Sequence, residues 1–233
     1  MNKKLLAFSI AGLLSAASAN AEWTGLAGPY AGVQLVGAQA SMTIEDSDCW
    51  YNCSAYTQRK TGGLYGLQGG FNWVSGNLLL GAELEYAVGS LEKSFDYGFY
   101  NGANDDMRLT SELKNLAALR LKMGLVSNDT ALVVSVGPAQ GKFASEFRDR
   151  DGTLADAADD DVASFSDEIS GLVFGVSAEH AFTSNITIGL KYSRYSFNDK
   201  SDTVFTNGVT NSGSIVKLVN EVDSFALSAN WSF

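Results

Sequence analysis

Phe225-Ala226-Leu227-Ser228-Ala229-Asn230-Trp231-Ser232-Phe233 closes the sequence with apolar residues, three of them aromatic, at odd positions and small or polar residues at even ones. A period of two is the mark of a β-strand with unlike surroundings on its two faces. An edge strand of a soluble sheet could carry one such alternation. It would not explain why many other segments repeat it with small and polar residues on the second face. A membrane barrel needs that arrangement: apolar toward lipid, polar toward the lumen, and aromatic at the water interface.

Working back from that end, seven further segments alternate in the same way. They are Tyr30 to Gln39, Gly63 to Trp73, Leu78 to Val88, Leu113 to Leu125, Thr130 to Phe143, Ile169 to Phe182 and Ile186 to Tyr195. The second is the clearest, with Tyr65, Leu67, Phe71 and Trp73 on one face and Gly66, Gln68, Gly70 and Asn72 on the other. Pro138 has no N–H for a ladder and predicts a bulge or a pairing defect in the fifth strand. Tight turns are expected at Val74 to Asn77, Ser127 to Asp129 and Thr183 to Asn185. Long connections are expected at Ser41 to Thr61, Gly89 to Thr110, Ala144 to Glu168 and Phe197 to Gly213. Short turns on one rim and long loops on the other suit a membrane barrel and not a sandwich. The predicted fold is all-β: a transmembrane, eight-stranded, antiparallel up-and-down β-barrel.

The N-terminus sets the compartment. Lys3-Lys4, the apolar run Leu5 to Leu14 and the small residues ending in Ala19-Asn20-Ala21 have the form of a secretory signal cleaved after Ala21. The division is therefore a signal peptide over 1–21 and a barrel domain over 22–233. The apolar run is far shorter than the roughly 20 residues a spanning helix needs. The rest of the chain offers no uninterrupted apolar segment of that length either, so a membrane protein of this sequence must be a barrel. The chain carries 16 basic against 26 acidic residues, and the leader removes two of the basic ones. Such an acidic balance argues against nucleic-acid binding, which needs a basic face for phosphates.

Charged residues on the inward register carry the clearest physics. Glu83 and Glu85 lie about as far beyond the Gly76 turn as Arg120 and Lys122 lie before the Asn128 turn, so both pairs should face each other at similar depth. Glu179 and Lys191, equally placed about the Ser184 turn, form a third candidate pair. Side chains roughly fill an eight-stranded barrel, so unpaired charges there would be costly. A structural ion network plugging the lumen is the favoured reading; a proton or ion path is the alternative.

Other chemistry is sparse, and no catalytic, cofactor or metal site is expected. Cys49 and Cys53 both fall in the first long loop of an exported chain, which predicts a local disulfide; two thiols without a nearby His make a poor zinc site. The lone His180 falls on the lipid-side register near a turn, without a Ser-His-acid arrangement on the loop side. Asp149, Asp151, Asp156, Asp159, Asp160 and Asp161 lie in loop 144–168; Asp149-Arg150-Asp151-Gly152 lacks the rest of a calcium-loop pattern, so a solvated loop is expected, with loose divalent-cation binding second.

Trp23-Thr24-Gly25 followed by Tyr30-Ala31-Gly32, Gly81-Ala82-Glu83-Leu84-Glu85, Arg120-Leu121-Lys122-Met123-Gly124 and Trp231-Ser232-Phe233 together resemble the small porin-like outer-membrane barrel family, itself similar to the OmpA barrel. Extra residues between Gly25 and Tyr30 depart from the usual opening, and Lys122 stands where a second Arg is expected. The terminal pattern Phe225, Leu227, Trp231 and Phe233 resembles the signal that such barrels present to the barrel-assembly machinery. The resemblance implies a monomeric outer-membrane protein in contact with outer-membrane lipid and lipopolysaccharide. It implies a structural, surface-exposed envelope role, with long loops available to a host or surface partner. It also implies a chain without the peptidoglycan-binding domain that follows the OmpA barrel. A narrow porin-like channel is the alternative function, and a lipid-modifying enzyme a weaker one.

Overall fold

The computed structural model describes residues 25–46, 55–98, 105–151, 161–206 and 209–233. The strands are β1 Gly28–Asp46, β2 Ala55–Ser75, β3 Leu78–Gly98, β4 Asp105–Ser127, β5 Thr130–Asp151, β6 Asp161–Ala181, β7 Ile186–Phe197, β8 Lys200–Thr206 and β9 Val209–Ser232. Each pairs antiparallel with its neighbour, and β1 pairs with β9 to close the ring. β7 and β8 lie end to end along the same side of β9, with Ser196 opposite Glu221 and Lys200 opposite Leu218. They are two halves of one wall strand broken at Asn198 and Asp199, so the barrel has eight walls.

The turns at one rim are tight for local reasons. Gly76 and Asn128 each open a two-residue link with a left-handed backbone (φ of 56° and 52°), a conformation that Gly and Asn accept most readily. Around the outside runs a belt of exposed apolar side chains, among them Leu35, Leu67, Leu84, Leu121, Leu132, Leu172, Leu190 and Leu227. Trp73, Phe182, Trp231 and Phe233 edge it beside the turns, and Tyr65 and Tyr86 mark its far side. Such a belt exposed to water would be a severe aggregation liability; facing lipid, it is what a spanning barrel requires.

The strands run well past that belt, which corrects the expected loops. About 9 to 11 residues cross a bilayer as a tilted strand, yet β1 to β6 each contain 19 to 23 residues. Much of the four segments expected to be loops is strand. The physical reason is an inversion of the alternation. Within the belt of β1 the outward residues Val33 and Leu35 are apolar, whereas beyond it Val36, Ala38 and Ala40 are buried inside and Gln39 faces out. The barrel passes from a lipid-facing wall to a water-facing wall with an apolar interior, so beyond the belt outward apolar residues no longer mark the strand.

Beyond the belt the wall divides. β2 and β3 stay paired only as far as Leu64 opposite Gly89, and β6 and β7 only as far as Gly171 opposite Phe197. Among the described residues, pairing then continues within two groups, β8-β9-β1-β2 and β3-β4-β5-β6. At Pro138 the β4–β5 ladder is interrupted between Ala118 opposite Ala139 and Leu121 opposite Val136, with the register unchanged across the gap. The pairing defect is thus a missing donor without a bulge. The bulge in that pair lies higher, at Lys114.

Candidate functional site

The interior is stacked in three layers. Nearest the turns, Leu26 packs among Leu79, Val126, Ala131, Val133 and Ala181, which come from β3, β4, β5 and β6. Leu26 is 2% exposed and acts as a stopper across the mouth. Its short segment is tied on both sides: the Leu26 carbonyl accepts from Asn72 Nδ2 (3.1 Å), and the Gly25 carbonyl accepts from Thr187 Oγ1 (2.9 Å) and Ser232 Oγ (3.0 Å). These residues are the departure from the family opening noted in the sequence, and they close the barrel end.

The middle layer is ionic. β3 brings Glu83 and Glu85 inward, β4 Arg120 and Lys122, β6 Glu179 and β7 Lys191, all buried. The backbone register sets Glu83 opposite Arg120, but the ion pairs run diagonally. Arg120 Nη2 lies 2.6 Å from Glu85 Oε1, and Lys122 Nζ lies 3.6 Å from Glu83 Oε2. Lys191 Nζ bridges Glu83 Oε1 and Glu85 Oε2, each at 2.7 Å. The expected Glu179–Lys191 pair is corrected: Glu179 Oε1 meets Lys122 Nζ at 2.8 Å. Equal distance from the Ser184 turn did not bring them together, because the β6–β7 register places Gly189 opposite Glu179 and Ser177 opposite Lys191.

Two tyrosines complete the cluster, and neither was assigned to it from the sequence, Tyr30 entering only as the start of a strand and part of the family opening. Tyr30 donates to Glu83 Oε2 (2.7 Å) and accepts from Lys122 (3.2 Å). Tyr195 donates to Glu85 Oε1 (2.6 Å) and accepts from Arg120 (3.1 Å). Their only signal was parity, since Tyr30 shares the face of Gln34 and Tyr195 that of Lys191. Arg120 also donates to Ser193 (3.0 Å), and Lys191 to Gln68 Oε1 (3.4 Å), while Gln68 Nε2 donates to Asn230 (2.8 Å). Glycine makes the room: a Cβ at Gly175 would stand 2.8 Å from Arg120 Nη1, and one at Gly70 would stand 2.8 Å from the Tyr30 hydroxyl. The three carboxylates and three cations balance, which is the condition for burying charge tolerably.

Above them an apolar layer fills the barrel, including Val36, Leu64, Leu91, Leu113, Leu116, Phe143, Ile169, Val173, Phe197 and Val222. Phe143 and Phe197 meet edge to face with centroids 5.0 Å apart.

The remaining candidates lie apart from this stack. Phe225, Leu227, Trp231 and Phe233 all face outward on β9, which pairs with β1 and β7. His180 is exposed on the outer wall with Nδ1 2.9 Å from Thr130 Oγ1. No group of three or more His, Cys, Asp or Glu that could hold a metal occurs among the described residues. Residues 1–21, Cys49, Cys53, Asp156, Asp159 and Asp160 lie outside the described residues.

A closed antiparallel barrel with a lipid belt outside and paired charges within defines a transmembrane β-barrel. A family model described as "Outer membrane protein beta-barrel domain" matches residues 5–233. The chain belongs to that family and is an outer-membrane protein. Among solved structures it is similar to the outer membrane protein OprG from Pseudomonas aeruginosa, with 13% identity over 91% of this chain and 99% of that one and a TM-score of 0.53. It is also similar to Ail, the attachment invasion locus protein of Yersinia pestis (13% identity, 89% and 99% coverage, TM-score 0.38), and to the outer membrane protease OmpT from Escherichia coli (10%, 88% and 97%, 0.46). No curated protein sequence matches the chain.

Proposed function

We propose that this barrel is a non-conducting, non-enzymatic envelope protein: a structural element of the outer membrane that holds a tall β-structure and its connecting loops at the cell surface. The observation that carries this reading is the lumen, filled in succession by the Leu26 stopper, the balanced ion network and the apolar layer. Its partners on this reading are outer-leaflet lipid and lipopolysaccharide around a monomeric wall, the assembly machinery at the β9 terminus, and a host or surface molecule at the loops. His180 is turned to the outer wall against Thr130, with no acid hydrogen-bonded to it among the described residues, which supports a non-catalytic role.

One observation favours the narrow channel instead. Gln34 Oε1, Asn72 Oδ1, Arg120 Nε and Asn220 Nδ2 are buried without a protein partner. Water could satisfy them and so hydrate a path. Conductance of the purified protein in planar bilayers separates the two: a silent bilayer supports the closed barrel, and reproducible channel steps support the path.

A further inference from the structure

On one side of the barrel, just beyond the apolar belt, two adjacent strands are irregular at the same height. The β3–β4 register slips between Val88 and Leu91, and the β4–β5 register slips between Leu113 and Asn115. A bulge inserts a residue and re-aims its side chain. Here it turns Lys114 outward, with 45% of its side chain exposed, beside Asn115 and the cross-strand partner of Asn115, Lys142. Below this point the outward residues are those of the lipid belt, Tyr86 on β3, Leu119 on β4 and Val136 on β5. The two lysines therefore stand at the level of the headgroups.

Glu112 forms an ion pair with Lys114, so the cation of the two without an ionic partner among the described residues is Lys142. Glu112 Oε1 accepts from Ser90 Oγ (2.7 Å), and Glu112 Oε2 lies 3.2 Å from Lys114 Nζ, so Lys114 has one carboxylate against its three donors. Lys142 is half-buried, and it takes part in none of the ion pairs found among the described residues. Glu168 is its register neighbour on β6, but Glu168 Oε2 accepts instead from Gln140 Nε2 at 3.3 Å. A partly desolvated cation without a counter-ion is unfavourable. Its natural complement at a membrane surface is a phosphate, which forms strong charge-assisted hydrogen bonds with lysine. The chain as a whole has a net charge of −10, so diffuse attraction works against anions and a bound phosphate must be held locally.

We propose that Lys142 and Lys114, with the Asn115 amide beside them, form a clamp for a phosphate of an outer-leaflet lipid headgroup. The proposal deepens the lipid-partner reading given above, and it stands whether or not the lumen conducts. The test reconstitutes the purified barrel in phosphatidylcholine vesicles doped with phosphorylated lipid A or its dephosphorylated form, then measures the lipid A retained after detergent extraction. Phosphorylated lipid A should be retained over the dephosphorylated form. Lys142→Gln with Lys114→Gln should lower retention about tenfold, as expected for losing a charge-assisted contact. Lys142→Arg should keep most of it, and Lys60→Gln on β2 should change nothing; heat-modifiable migration confirms that each variant is folded. Equal retention by the double variant and the parent, or by the two lipid forms, overturns the clamp. Complete displacement of lipid A by millimolar inorganic phosphate would assign the site to the free ion and overturn the lipid assignment.

Discussion

Removing Glu85 should damage the barrel more than removing Arg120, although the two form one ion pair. Arg120 has Glu85 as its only carboxylate within ion-pair distance among the described residues, and its Nε already lacks a partner. Glu85→Gln therefore leaves a fully buried guanidinium without a counter-charge, a change of about 3 to 5 kcal/mol. Arg120→Met leaves Glu85 with Lys191 at 2.7 Å and Tyr195 at 2.6 Å, so its loss should fall below that range. The double variant should lose less than the two single losses together, with a coupling of about 1 to 3 kcal/mol. Reversible urea unfolding in detergent micelles, followed by Trp fluorescence, measures all four corners of the cycle. Strict additivity, or a larger loss for Arg120→Met than for Glu85→Gln, would refute the claim that the ionic layer is buried and mutually dependent.

Leu26→Ala should lower stability by about 2 to 5 kcal/mol, the range for a buried large-to-small change; urea unfolding of this variant checks it, and a loss within experimental error would show that the stopper is not packed. Changing Trp231 and Phe233 together to Ser should leave export intact and lower the heat-modifiable, membrane-inserted fraction several-fold, as read on gels of fractionated envelopes. Unreduced peptide mapping should find Cys49 linked to Cys53; alkylation of both thiols in protein taken directly from the envelope would contradict the link.

The belt and its parity could be read from the sequence because lipid imposes one rule on every strand it touches, and Leu67, Leu121 and Leu190 obey it alike. The inward positions of Glu83, Glu85, Arg120 and Lys122 followed from the same period. Which charge meets which did not follow, because tilted strands let side chains pair diagonally, so Arg120 reaches past its register partner Glu83 to Glu85. The tall outer wall was hidden because beyond Leu35 the apolar residues move from the outer to the inner face while the in–out alternation of the strand continues. Leu26 stood alone among Gly25, Ala27 and Gly28 without a periodic neighbour, and only the tertiary position of its segment makes it a stopper. Nothing in the segment Leu113 to Leu125 singled out Lys114, since the bulge that turns it outward depends on pairing with β5.

The proposal that the lumen is sealed is tested most directly by single-channel recording of the refolded protein in planar lipid bilayers, in parallel with a preparation left unfolded. The account predicts a folded, heat-modifiable protein that inserts and gives no steps above the baseline of the unfolded control, because Leu26, the Glu85–Arg120 and Glu83–Lys191 pairs and the Phe143–Phe197 layer occupy the axis in turn. Stable, ohmic steps that appear only with the folded protein and change amplitude in Glu85→Gln would contradict it, since they would place a water-filled path through the ionic layer.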